Sequence, residues 1–340
     1  MREIVEIQKK LLPDLLQVME KRYQILHRVY MTGTIGRRTL ASSVDMTERV
    51  LRTELEVLRA QGLLDTATAG MTLSDSGRQL VEDMEPIVKE LFGLSDLEEK
   101  VRAAFGLNKV IIVAGDSDTS DHIKMELGMA GSRVLRDSLS PGDVVAVMGG
   151  STMARMAAQF AMPSQLKENW FVPARGGLGE SVDYQANTIA SELAKRTGAR
   201  YRMLHVPDHL SEEAYKTIMQ DPNVSEVVDM IRGARIVVHG IGDAATMARR
   251  RKLNNETMDE LVKDGALAEA FGYYFDRNGK VVHRMATAGL RLEDIEAAGI
   301  VIGIAGGKSK GEAIASVMRF GHDDILVTDE AGAIEALRHV

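Results

Sequence analysis

Cysteine is absent from all 340 residues. Its absence excludes disulfides, thiol nucleophiles and cysteine-ligated zinc, and fits a reducing cytoplasm. Apolar runs are short, none approaching the roughly 20 residues a membrane-spanning helix needs. Residues 1–10 lack the apolar core of a signal peptide, so neither secretion nor membrane insertion is expected. Aromatic residues make up only 4% of the chain and are not interleaved with basic ones, which argues against a single-strand nucleic-acid platform. The eight histidines are scattered without HExxH-like spacing, so no metal site is expected. Internal repeats and low-complexity tracts are also missing. What remains, 45% hydrophobic and 27% charged, is globular in composition and long enough for two domains.

The net charge of −7 conceals a local reversal. Residues 21–60 carry eight basic and four acidic groups, a surplus of +4, so the rest of the chain stands at −11. Charge read by segment therefore leaves nucleic acid open as a partner of the N-terminal region.

In that region Leu15, Leu16, Met19, Tyr23, Leu26 and Tyr30 recur at helical steps, predicting a long helix with a break at Pro13 and an end at Gly33. A short helix over Arg37–Ser43 and a tight turn lead to a third helix, with Thr47 as its N-cap and Leu51, Leu55 and Leu58 on its buried side. Two short strand-like runs about residues 63–66 and 71–73 follow, then a helix from Asp75 to about Phe92. The order predicts a winged helix-turn-helix, whose third helix fits the major groove of duplex DNA. Arg49 and Arg52 are the candidates for base edges, with Thr47, Glu48 and Thr53 nearby, and Arg37 and Arg38 for phosphates. The same helices and hairpin could instead serve dimerisation alone. The surplus of arginine on the proposed reading helix favours DNA.

The domain boundary is placed in the charged stretch after Phe92, giving domains 1–92 and 93–340. Beyond it, strand-like runs at 109–114, 144–148, 170–173, 201–204, 235–239, 300–305 and 325–327 alternate with helical stretches, predicting an α/β domain with a parallel sheet. Asp276-Arg-Asn-Gly279 between two further runs signals a hairpin. Ligands in such sheets collect beyond the carboxyl ends of the strands. Four glycine-rich loops fall there, Gly149-Gly-Ser-Thr152, Ala174-Arg-Gly-Gly-Leu-Gly179, Gly240-Ile-Gly-Asp243 and Gly306-Gly-Lys-Ser-Lys310, with Arg175, Arg250, Lys308 and Lys310 as cations.

Val144 to Met148 followed by Gly149 and Gly150 and a helix from Ser151 is the pattern of an anion cradle. Glycine permits close backbone approach, and the first helical N–H groups are unpaired. A plain strand-to-helix turn with Ser151 as N-cap would use the same residues, and the local sequence leaves both open. Two nucleotide patterns are not met. A P-loop would need glycine where Ile302 stands, and Gly240-Ile-Gly-Asp243 lacks the third glycine of a dinucleotide fingerprint.

Met148-Gly-Gly-Ser-Thr152, Pro173-Ala-Arg-Gly-Gly177, Gly265-Ala-Leu-Ala-Glu-Ala-Phe-Gly272, Gly303-Ile-Ala-Gly-Gly307 with Lys310, and Leu326-Val-Thr-Asp-Glu330 together span most of residues 108–330. Jointly they resemble the SorC/DeoR-type bacterial transcriptional regulators, and among these the glycolytic ones. The resemblance implies a Rossmann-like effector domain of the sugar-phosphate isomerase type, as in glucosamine-6-phosphate deaminase and ribose-5-phosphate isomerase. It implies a repressor of glycolytic genes controlled by a phosphorylated sugar, fructose 1,6-bisphosphate first, with no cofactor. By that likeness Gly149, Gly150, Ser151 and Thr152 hold one phosphate, Arg175, Arg250 and Lys310 supply charge, and Gln185 and Glu269 bond sugar hydroxyls. The winged helix and the leading helix depart from the simpler helix-turn-helix of many relatives. Homodimers or homotetramers are expected, so that two heads meet two half-sites of double-stranded operator DNA. A sugar-phosphate isomerase or deaminase with an added DNA-binding domain is the competing reading. It needs a positioned base, for which Asp243, Glu269 and Asp329 are the candidates.

Overall fold

The computed structural model describes the chain apart from residues 1–10, 45, 68–69, 92, 161–165, 178–180, 208–211 and 286, with backbone alone at Pro13 and Glu212. It divides into two compact units, Met1–Asp96 and Leu97–Val340.

The first unit contains the helix Pro13–Thr32, with proline in its first turn and Gly33 ending it at φ 77°. The expected break at Pro13 is this helix's start. Its buried face is Tyr23, Ile25, Leu26 and Val29, while Leu15, expected inside, is 58% exposed. The core formed by Leu40, Leu51, Leu55, Leu58, Met71 and Val81 lies against only the later turns, so periodicity alone overextends the face. Helices Arg37–Ser43 and Glu48–Ala60 follow, the second capped by Thr47 through a 3.4 Å bond from Val50 N–H. Strands β1 (Leu64–Ala67) and β2 (Gly70–Leu73) pair antiparallel, and a backbone bridge between Ile35 and Met71 ties the hairpin to the segment before the second helix. The tip residues 68 and 69 lie outside the described residues. Helix Asp75–Leu91 closes the unit.

The stretch read as a charged boundary is itself a helix, Leu94–Phe105. Its apolar anchors Leu94 and Val101 are a heptad apart among charges, and Glu98 is recruited to accept from Ile112 N–H at 2.8 Å.

All seven expected strands form one parallel sheet in the order β3-β13-β12-β7-β4-β5-β6. They are β3 (Lys109–Val113), β4 (Val144–Val147), β5 (Trp170–Pro173), β6 (Arg200–Tyr201), β7 (Ile236–Gly240), β12 (Ile300–Ile304) and β13 (Ile325–Asp329). Their runs read clearly because the inner strands are covered on both faces: Val145, Val147, Val238, Ile302 and Ile304 pack with Leu135, Met153, Met156, Phe160 and Ile189 on one, and the alternate residues Ala146, Val237 and Val301 are buried as well. Only β6 falls short of expectation. The side chain of Asn187 takes both backbone groups of Leu204, at 2.9 and 3.0 Å, and so removes them from the ladder.

From β4 the chain steps outward to β5 and β6, and from β7 it steps the other way to β12 and β13. The reversal between neighbours β4 and β7 is a topological switch point, where a crevice opens beyond the carboxyl ends. The expected hairpin, β10 (Tyr273–Phe275) with β11 (Val281–Arg284), is present. It belongs to a second sheet of order β11-β10-β9-β8, whose β8 (Gly242–Asp243) and β9 (Ala268–Ala270) are too short to leave an alternating pattern.

Candidate functional site

At the end of β4, Gly150 is the residue before the helix Ser151–Gln159, at φ 124°, a conformation open to glycine. A Cβ on Gly149 would lie 2.7 Å from Tyr184 O, and Gly150 N–H donates to that same oxygen at 2.8 Å. Ser151 is thus the first helical residue and not the N-cap, and neither it nor Thr152 spends its hydroxyl on capping. The helix opens toward the crevice with its first N–H groups lacking intrahelical acceptors, Ser151 exposed and Thr152 half-buried. Of the two readings the turn allowed, the Ser151-capped one does not form.

The switch point places the other loops around this turn. Asp243, after β7, caps the helix Ala244–Arg250 by accepting from Thr246 N–H at 2.7 Å, and Arg250 ends that helix exposed. After β12, Gly307 at φ 100° starts a single helical turn, Lys308–Lys310. Burial pushes the half-buried Lys310 ammonium below its ordinary value, Arg250 and Lys124 push it further, and Asp118 and Asp329 oppose them. Lys310 and Arg250, distant in sequence, are therefore electrostatic neighbours. Lys124, which supplies a third cation, lies in helix Asp121–Ser138 with no motif around it to single it out.

Arg175 and Glu269 are also brought together, but inside. Their side chains are 4% and 6% exposed, Arg175 Nη1 stands 3.5 Å from Glu269 Oε1, and Arg251 Nη2 donates to the same oxygen at 2.7 Å. Gly272 N–H adds a bond of 2.9 Å. Within the run Arg249-Arg-Arg251 it is the last arginine that turns inward. Sequence reasoning missed it because the helix ends there and helical spacing no longer says which way a side chain faces. Gln185 precedes the helix Ala186–Thr197, with Oε1 3.2 Å from where a Cβ on Gly177 would sit. The end of the Ala174–Gly179 loop, residues 178 and 179, lies outside the described residues.

The three carboxylates an isomerase would draw on are engaged. Asp243 is a helix cap, and Glu269 is held by two arginines. Asp329 is fully buried, with Ser117, Gly307 and Gly332 N–H groups at 2.7, 2.7 and 2.8 Å.

In the first unit the expected DNA-facing residues sit on the exposed side of helices Arg37–Ser43 and Glu48–Ala60. Arg38 faces Glu48 at 3.7 Å, and Arg52 faces Glu56 at 3.6 Å. These pairs are solvent-exposed, worth roughly 0–1 kcal/mol, and readily exchanged for phosphate. Arg37 and Arg49 are exposed, Thr53 donates to Arg49 O at 3.4 Å, and Thr47 is occupied as the cap. Arg22, unlike these, is tied to Glu54 at 2.9 Å and holds the leading helix to the third.

Residues 18–88 match the family described as "CggR N-terminal DNA binding domain", and residues 89–338 the one described as "Putative sugar-binding domain". Fold and rim thus define a two-part transcription regulator, a DNA-binding domain followed by a sugar-binding α/β domain. Over 339 residues the chain is 46% identical to the central glycolytic genes regulator of Priestia megaterium, covering 99% of each. With the protein of that name from Bacillus subtilis it shares 44% over 338 residues, again 99% of each. A solved "putative SorC family transcriptional regulator" from Enterococcus faecalis matches 71% of this chain and 99% of its own, with 42% identity and a TM-score of 0.67. The chain belongs to the SorC/DeoR-type transcriptional regulators, in the group of the central glycolytic genes regulators. Like these relatives it is a transcription regulator. Among the described residues no helix is long and apolar enough to cross a membrane.

Proposed function

We propose that this protein represses glycolytic genes, with an operator affinity set by a phosphorylated sugar, fructose 1,6-bisphosphate. Residues 1–92 act as a winged helix-turn-helix on duplex DNA. Residues 93–340 act as a Rossmann-like effector domain of the sugar-phosphate isomerase type, assembled as a homodimer or homotetramer.

The observation that carries this reading is the meeting of two glycine turns and two cations on one rim. The Gly149–Thr152 turn follows β4 and the Gly306–Lys310 turn follows β12, with β7 between them. Two strand spacings put the turns about 10 Å apart, a span suited to a sugar phosphorylated at both ends. Gly149, Gly150, Ser151 and Thr152 take one phosphate by backbone N–H and hydroxyl groups, while Arg250 and Lys310 neutralise the other. Between them Gln185 and Glu269 bond sugar hydroxyls, with Glu269 oriented by Arg175 and Arg251. Closure of the rim on the ligand alters how protomers sit, and a coupling of about 1–3 kcal/mol would change DNA affinity roughly 5- to 150-fold.

In a thermal-shift panel of sugar phosphates, saturating fructose 1,6-bisphosphate raises the Tm by about 5–10 °C at ~100 times its Kd. Thr152→Ala and Arg250→Ala remove the shift while leaving the unliganded melting point in place. Operator retention in a gel that no sugar phosphate alters would overturn the proposal.

The depressed Lys310 pKa adds a pH signature. An anionic ligand raises it back, so binding takes up protons, and affinity falls as pH rises through the unliganded value, which lies below 10.5. Calorimetry in alkaline buffers of differing ionisation enthalpy reads this uptake, and Lys310→Met abolishes it. Without ligand the same shift is a stability penalty. It is fully present below the folded-state pKa and fades as pH climbs toward the unfolded value of 10.5.

A further inference from the structure

The Gly306–Lys310 turn already contains an anion. Three consecutive backbone N–H groups there are held by carboxylates: Gly307 by Asp329 at 2.7 Å, Lys308 by Asp116 at 3.4 Å and Ser309 by Asp118 at 2.7 Å. Asp118 accepts a second bond from Ser309 Oγ at 3.0 Å, and a methyl on Gly307 would overlap its Oδ1. Its two oxygens thus bridge an amide and a hydroxyl beside Lys310, as phosphoryl oxygens do in a backbone nest. The three acids differ in one respect. Asp329 is fully buried and Asp116 half-buried, but Asp118 is exposed. Asp329 also joins Ser117 to Gly307 and cannot leave without parting two loops. Asp118 can turn into water without leaving a buried charge behind.

We propose that Asp118 is a resident stand-in for the second phosphate, displaced when a doubly phosphorylated sugar binds, and that it sets the selectivity of the site for bisphosphates. This rests on the sugar-phosphate reading above. A monophosphate held at Gly149–Thr152 leaves Asp118 in place and gains nothing from the second turn. A bisphosphate must evict it and then takes over the Ser309 N–H and hydroxyl, Lys310 and Arg250. Eviction also frees the loop from Asp116 to Ser120 that leads into helix Asp121–Ser138, where Asp116 O accepts from Thr119 N–H at 3.3 Å. Ligand occupancy is thereby written into that loop.

The test is calorimetric titration of the full chain and of Asp118→Asn with fructose 1,6-bisphosphate, fructose 6-phosphate and fructose 1-phosphate. Asparagine still accepts from Ser309 N–H, so the turn is kept while the competing charge is lost. The expected result is bisphosphate binding about tenfold tighter, equivalent to about 1.4 kcal/mol, with smaller gains for the monophosphates. Equal gains for all three, no gain, or weaker binding makes Asp118 a structural clamp and overturns the inference. Hydrogen exchange on the wild-type chain supplies a readout free of substitution. Bisphosphate should speed exchange over residues 116–120 while slowing it over 149–154, and protection of both stretches contradicts eviction. If the wild-type chain binds none of the three sugars, it is the sugar-phosphate reading itself that fails.

Discussion

Glu269→Ala is expected to lower the stability of the second unit by about 3–5 kcal/mol, the range for removing one member of a buried ion pair. The carboxylate is shared by Arg175 and Arg251, and all three side chains are at most 6% exposed. Alanine removes the acceptor common to both guanidiniums and to Gly272 N–H, leaving largely buried donors without it. Glu269→Gln keeps an oxygen for Gly272 but loses the charge, and should fall between wild type and alanine. Urea unfolding of the three proteins reads the order directly. A loss for alanine within about 0.5 kcal/mol of wild type, the usual range for surface substitutions, would mean the cluster carries no stability. Because Glu269 is also proposed to touch the sugar, the glutamine variant should lose ligand affinity by more than its stability loss alone explains.

The second large effect concerns DNA and should leave folding alone. Arg49→Ala and Arg52→Ala alter exposed groups of the helix Glu48–Ala60, so unfolding free energies should stay within about 0.5 kcal/mol of wild type. Operator binding should weaken by about 1–3 kcal/mol for each, with relaxed discrimination at one base pair if the guanidinium reads a base edge. Arg37→Ala and Arg38→Ala should instead weaken all sequences alike and reduce the salt slope by about one each. Thr47→Ala gives the contrast, since its hydroxyl is the helix cap. At 3.4 Å that bond is long, so the penalty should sit near the low end of about 0.5–2 kcal/mol and appear in stability before DNA affinity. Unchanged operator affinity in Arg49→Ala, Arg52→Ala double variants would leave the first unit as a dimerisation module.

The parts legible in the chain share one property, that local order dictates them. Strands β4, β7 and β12 are covered on both faces and must be apolar without interruption, so their sequence announces them. Thr47 and Gly33 bound their helices through backbone groups a few residues away. The glycines at 149, 150 and 307 stand where conformation or close approach requires them, which is why these turns could be located before any neighbour of them was known.

What depended on tertiary structure is the direction and company of individual side chains. Leu15 shares the periodicity of Tyr23 and Leu26 but has no core beneath it. Arg250 and Arg251 are adjacent in sequence, yet one ends a helix in solvent and the other reaches Glu269 inside. Asp118, Lys124 and Lys310 come together only because β3 and β12 flank β13, an arrangement set by strand order. The sequence by itself determined the long strands and most helices, the glycine turns and the regulator family, since backbone conformation and burial on both faces are local demands on residue type. Only the tertiary structure decided which charges meet at the rim and which are buried in pairs, because Coulomb energy and desolvation depend on distances that separation along the chain does not encode.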